Sequence, residues 1–529
     1  MIRMQRTFVL LFLLAIHVLS LQAQPLNFSV QWGQEFEASR RSTLSDIIGY
    51  DATGIYTIQA RIGFSKSDFT LEHYDKSFKP THSFELEIKS GRDRATVNNI
   101  FFLKGKLYMF YSFADRSVKK NVLSLQEIDK KTLTPTGDIK KIGEIDYAGK
   151  RQRNSGQFLY KLSRDSSKML IVYALPYNED APQKFGFHVL NSQLNTLWQK
   201  DIELPYADEL FDISSFRVDN DGNAYMLGKV YNEKRKEKRR GLPNYRYEVI
   251  ACRDGGANLQ QYPVSVEDRF LTDMQIEIQD AQTIVCAGFY SEKGTISIRG
   301  TYFLKVDAAS KQISAKNFKD FEIGFITQNM KRREAKRAAR QEKRGDDAEL
   351  FEYDLDKLLI GKDGSAVLIA EQYFVRSVTQ YQSINGRQTT NTVTYYYYND
   401  IIAVKMDPSG EIVWSRKIPK TQMTREDGGY YSSYALAIVK GNLCFIYNDN
   451  PDNLTLEDDE KADNYNPSKS VVVVSSIDPK GNVTKKPILT SKDVEVITVP
   501  KVCEQISNTE VVLFGKRKKT QQFGLLKFK

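Results

Sequence analysis

Short runs in which apolar and polar residues alternate, interrupted at regular intervals by Asp, Asn, Gly and Pro, fill most of the chain. Alternation of this kind predicts β-strands with one buried face, and the interruptions predict tight turns. The clearest hairpin is Phe216-Arg-Val-Asp-Asn-Asp-Gly-Asn-Ala-Tyr-Met-Leu-Gly228, matched by Leu358 to Ala370 around Lys362-Asp363-Gly364. A second hairpin type runs from Ile401 to Ile418 around Asp407-Pro-Ser-Gly410. It is echoed from Val472 to Ile488 around Asp478-Pro-Lys-Gly481.

Joined in order, the two hairpins make a four-stranded unit. Second strands are expected at Ile55, Leu107, Met169, Ala224, Thr283, Ala366, Leu443 and Val511, and third strands at Phe69, Val122, Phe185, Tyr247, Tyr302, Ile401, Val472 and Phe523. The pattern predicts an all-β protein, a single eight-bladed β-propeller over residues 24–529. The last unit lacks a fourth strand. Asn27 to Ala38 is expected to supply it and so close the ring.

The Asp-x-x-Gly-Asn-x-Tyr turns resemble short bacterial β-propeller repeats. Trp198 and Trp414 resemble the tryptophan-bearing strand of quinoprotein-like propellers. This resemblance implies architecture and leaves function open.

Met1 to Ala23, with Arg3 and Arg6 ahead of an apolar run, reads as a secretory signal peptide cleaved before Gln24. The expected location is therefore periplasmic or extracellular, and no later apolar run reaches the length of a membrane helix. With 41% hydrophobic and 12% aromatic residues, the composition fits a folded core. Four cysteines lie within apolar strands and read as buried thiols, with inter-blade bridges Cys252 to Cys286 and Cys444 to Cys503 as the alternative.

Antiparallel strand order puts the loops after first and third strands on one face, and those after second and fourth strands on the other. All four long insertions, 231–246, 321–353, 374–399 and 448–469, fall on the second face. Loops on a rigid scaffold are where binding resides, so this face is the expected functional surface.

The net charge of +10 changes the picture because it is concentrated there. The first insertion carries Lys234, Arg235, Lys236, Arg239 and Arg240. The second reads as one charged helix within Thr327 to Gly345, capped by those two residues, with Arg332, Arg333, Arg337 and Arg340 outward and Ala335, Ala338 and Ala339 as a narrow stripe. The third centres on Asn385-Gly386, a strong hairpin signal that pairs Ile384 with Arg387, Val378 with Val393, Phe374 with Tyr397 and Ile369 with Ile402. It should project as a ribbon whose Tyr395 and Tyr397 lie near Tyr430 and Tyr431, either packed strand against strand or forming an exposed aromatic surface able to stack on sugars or anchor a protein. The fourth, with Glu457, Asp458, Asp459, Glu460 and Asp463, reads as an acidic loop facing the basic ones.

Catalytic motifs are sparse. His73, His82 and His188 have neither metal-ligand nor triad spacing, and no phosphate-cradling loop, serine elbow or Cys-x-x-Cys occurs. The reading is a monomeric, exported, non-catalytic scaffold with no metal or cofactor. It binds a protein or an acidic glycan or envelope component, with membrane-surface contact but no nucleic acid. The alternative is a carbohydrate-active hydrolase or lyase whose carboxylates converge on the same face.

Overall fold

In the computed structural model the described residues are 26–37, 42–61, 68–86, 89–90, 93–146, 156–176, 181–264, 269–280, 282–384, 387–457, 460–490 and 496–529. The expected signal peptide and the Asn385-Gly386 turn lie outside them.

Nearly every element is a strand, and the strands fall into successive antiparallel sheets of four. The first is Ser42–Asp51, Gly54–Arg61, Asp68–Asp75 and Pro80–Leu86, in chain order from one edge to the other. The same meander recurs over residues 96–146, 157–207, 211–264, 270–320, 353–418 and 435–490. In the final sheet Glu510–Arg517 and Thr520–Phe528 are joined by Phe28–Trp32 from the other end of the chain, in register from Phe28 opposite Phe528 to Trp32 opposite Gly524. Repeated four-stranded meanders of this kind are consistent with a β-propeller.

The turns explain why these strands form. Asp219 Oδ1 accepts the backbone N–H of Asp221 and Asn223, and Tyr225 Oη donates to Asp219 Oδ2 at 3.0 Å. Asp407 and Asp478 hold their own turns in the same way. The glycine that follows each of them, Gly222, Gly410 or Gly481, has φ near +90° (92°, 90° and 88°), where a Cβ would be strained. The Asp219 to Asn223 segment is thus a turn held by its own aspartate.

The sheets pack through their apolar faces, and tryptophans tie neighbours together. Trp198, on the last strand of one sheet, donates its indole N–H to Gly222 O in the first turn of the next, at 2.9 Å. Trp414, also on a last strand, donates to Pro479 O at 3.2 Å, in the turn between the third and fourth strands of the next sheet. All four cysteines are buried free thiols, and burial pushes those of Cys286, Cys444 and Cys503 up to about 12.

Candidate functional site

The second insertion departs from its expected form. A short helix α1, Ile323–Thr327, is followed by a break, and the long helix α2 spans Arg332–Glu342. Thr327 does not cap α2. Its hydroxyl bonds Ile323 O at 2.8 Å, closing α1 on itself, and Lys331 occupies the N-cap position of α2. Gly345, at φ +77°, follows the far end as expected.

Helix α2 rests on its small-residue stripe: Ala335, Ala338 and Ala339 are half-buried, and Ala338 packs against the core. Both carboxylates of α2 are turned away from its cations. Glu334 accepts from Lys331 N at 3.3 Å, and Glu342 is gripped by Arg299, which also meets Asp320 at 3.1 Å. These contacts hold the Glu342 carboxyl below its usual range, with Arg299 as the first cause. Arg332, Arg333, Lys336, Arg337 and Arg340 are left exposed, and none forms an ion pair among the described residues.

The first insertion is more self-satisfied. Arg239 pairs with Glu233, while Arg235 donates to Phe211 O at 2.7 Å and approaches Asp212 at 3.9 Å. Lys234, Lys236 and Arg240 point to solvent. Lys238 reaches Lys293 O, and Lys293 in turn binds Asp346 beside the end of α2, so the two basic insertions adjoin.

The third insertion is a continuous ribbon, Ala366–Ile384 against Arg387–Met406. Its register agrees with the sequence from Ile384 opposite Arg387 to Phe374 opposite Tyr397, then slips by one so that Ile369 faces Ala403 rather than Ile402. The slip is a bulge in which Asn399 and Asp400 oppose Gln372, and such bulges re-aim side chains. Here it coincides with the burial of Asp400.

The tyrosines follow the packed alternative more than the open one. Strand Gln422–Arg425 pairs along Tyr395 to Tyr398 and covers that edge. Tyr395 and Tyr397 are half-buried, and Tyr397 stacks on Phe374 at 4.4 Å. Tyr430 and Tyr431 pack into a core cluster, and burial raises both phenols. Packing within the protein therefore claims these rings, and the expected open aromatic platform is not formed at 430–431.

Sequence reasoning missed the buried polar groups beneath this face. Lys420 Nζ, fully buried, meets Glu371 Oε1 at 2.6 Å and Tyr398 O at 2.8 Å, and Ser433 Oγ donates to Glu371 Oε2 at 2.6 Å. A pocket of about 180 Å³ lies under the α1–α2 break and contains Asp400, Lys417, Asn329 and Tyr353. A lysine in a strand is no signal in itself. Only the fold shows that these positions face inward.

Two further carboxylates, Asp354 and Asp356, lie on strand Tyr353–Ile360. Asp356 is reached by water but recessed; its Oδ2 accepts from Tyr434 Oη at 2.6 Å. Desolvation first, then Glu371 and Asp354, push it up to about 7 against the hydrogen bond from Tyr434.

No family model matches the chain, and no curated protein matches it. Among solved structures it resembles an apocarotenoid oxygenase from Synechocystis at 7% identity and TM-score 0.33, over 72% of this chain and 73% of that one. It also resembles prolyl oligopeptidase B from Galerina marginata (10%, TM-score 0.37), covering 90% of this chain but only about half of that one, 55%. An α-L-arabinanase from Penicillium chrysogenum matches at 9% and TM-score 0.27, over 55% and 97% of the two chains. At these TM-scores none of the likenesses bears on function.

Proposed function

We propose that the sheets are the eight blades of one propeller, closed by the N-terminal strand, and that the protein is an exported, non-catalytic scaffold. On this reading the insertion-bearing face binds an anionic partner, an acidic protein or glycan. The pairing of Phe28–Trp32 with the last strand and the tryptophan bridges between successive sheets support the closed ring.

One observation carries the binding reading. Helix α2 presents four exposed arginines without intramolecular partners among the described residues, on a support fixed by the Arg299–Glu342 pair. A protein that used these charges only for solubility has no need to anchor their helix through a buried guanidinium. Arg235 and Arg239, already paired, contribute less. The deciding experiment is partner capture and affinity for the parent and for a variant with Arg332, Arg333, Arg337 and Arg340 changed to Ser, both shown to be folded. Equal affinity at low salt refutes the reading.

A second reading, a carbohydrate-active hydrolase, draws on Asp356, whose raised pKa near 7 beside Asp354 suits a general acid. Hydrolysis of a glycan by the parent but not by Asp356→Asn would favour it.

A further inference from the structure

Buried charges in proteins are normally paired, since an unpaired ion in a poorly solvated interior is costly. Buried Lys420 and buried Asp449 obey this rule, reaching Glu371 and Lys485 at 2.6 and 2.5 Å. Lys417 does not. Its side chain is buried, its ammonium donates to Ile326 O and Gln328 O at 3.2 Å each, and Phe325 lies 5.2 Å away. Among the described residues no carboxylate comes within 4.0 Å of it.

The matching carboxylate is nearby but held apart. Asp400 lies on the adjoining strand, at the bulge, and is also buried. Asn329 Nδ2 and the backbone N–H of Lys420 bond its Oδ1, and Tyr353 Oη reaches Oδ2 at a long 3.4 Å. Lys417 and Asp400 feel each other's charge, and both line the pocket under the α1–α2 break. The pocket's volume of about 180 Å³ has room for roughly six waters, or for one molecule of roughly six to nine non-hydrogen atoms at protein packing density. Exposed Glu334 and Lys461 border it.

A base and an acid facing one cavity from adjacent strands, close enough to interact yet unpaired, form a two-ended polar site. We infer that this pocket binds a free α-amino acid, with the ligand carboxylate on the Lys417 ammonium and the ligand ammonium toward Asp400. An amino acid of this size fills the cavity and brings an acceptor to the Lys417 ammonium and a donor to Asp400, whose carboxyl burial pushes up, so the two ends of the ligand answer the two ends of the site. The site is separate from the outward arginines of α2, so substitution of those arginines should leave it intact.

The test is calorimetric titration of the full chain with each of the twenty amino acids, supported by thermal shift. At least one should bind at the pocket, and its decarboxylated amine and its deaminated acid should each bind far more weakly. Lys417→Met, which keeps the stem and removes the charge, should reduce affinity roughly 10- to 100-fold, as should Asp400→Asn. Failure of all twenty to bind overturns the proposal, as does a bound amino acid whose affinity Lys417→Met leaves unchanged. Should Lys417→Met not fold, the comparison of the amino acid with its amine and its acid on the parent protein decides: equal affinities for all three overturn it.

Discussion

Arg299 holds Glu342 across 43 residues of chain, with Nη1 donating to Oε2 at 3.1 Å and Nη2 to Oε1 at 3.0 Å. This bidentate contact fixes the C-terminal end of α2 to the sheet below, while Ala348 N–H and Ala348 O bond the same two side chains. Charge-assisted pairs of this geometry are among the stronger hydrogen bonds.

Glu342→Ala should therefore release α2 locally without unfolding the sheets. A loss of about 1.5–3 kcal/mol in local stability is expected, read as faster trypsin cleavage between Arg332 and Arg344 while the strand signal in circular dichroism stays unchanged. Cleavage at the parent's rate would mean that the clamp does not hold the helix.

The buried Glu371–Lys420 pair makes a different prediction. Lys420→Met alone strands a buried carboxylate and should destabilise by about 3–5 kcal/mol. Adding Glu371→Leu should recover a large part of that loss, because two apolar groups leave no orphaned charge. Denaturant unfolding of the two variants measures the recovery, and a double variant no more stable than the single one contradicts the account.

His188 supplies a pH test. Tyr173 Oη and Thr196 Oγ1 each lie 2.8 Å from its ring nitrogens, and desolvation first, then Lys140, lowers its pKa to about 4. The unfolded chain, near 6.5, binds this proton more readily than the folded one. The stability it lends is full above about 6.5 and is lost as pH falls toward about 4. His188→Gln, with a side chain that stays neutral, should flatten the pH dependence of unfolding in that window. An unchanged profile would exclude His188 as its source.

Deleting residues 26–38 should expose the outer edge of Thr520–Phe528, which pairs with Phe28–Trp32 and Phe36–Glu37. An uncovered strand edge is a template for aggregation. Lower melting temperature and concentration-dependent association are expected; a variant as stable and as dispersed as the parent would show that this strand pairing contributes nothing.

The strands were legible because their signals are local. Every expected second strand, from Ile55 to Val511, lies in an observed strand, since each pairs an apolar alternation with a tight polar turn, held by an aspartate at Asp51, Asp165, Asp219, Asp280 and Asp363. The ribbon register followed from a single turn until Asn399 and Asp400 bulged out, an event with no local pattern. The same limit hid the site. Lys417 and Asp400 look like ordinary polar residues beside a turn and become a pair of unmatched buried charges only when α1 and the following break cover them. For Tyr430 and Tyr431 the packed alternative is the one observed, because aromatics in a connection are absorbed by the nearest core.

The most direct test of the central claim is the salt dependence of binding to heparin, taken as a uniform polyanion, for the parent and for the variant with Arg332, Arg333, Arg337 and Arg340 changed to Ser. Counterion release predicts that affinity falls linearly with salt on a logarithmic scale. By the same rule the slope should shrink by roughly three to four when four contacts are removed, with weaker binding at low salt. Parent and variant with the same slope and the same low-salt affinity would contradict the assignment of α2 as the anion-binding element.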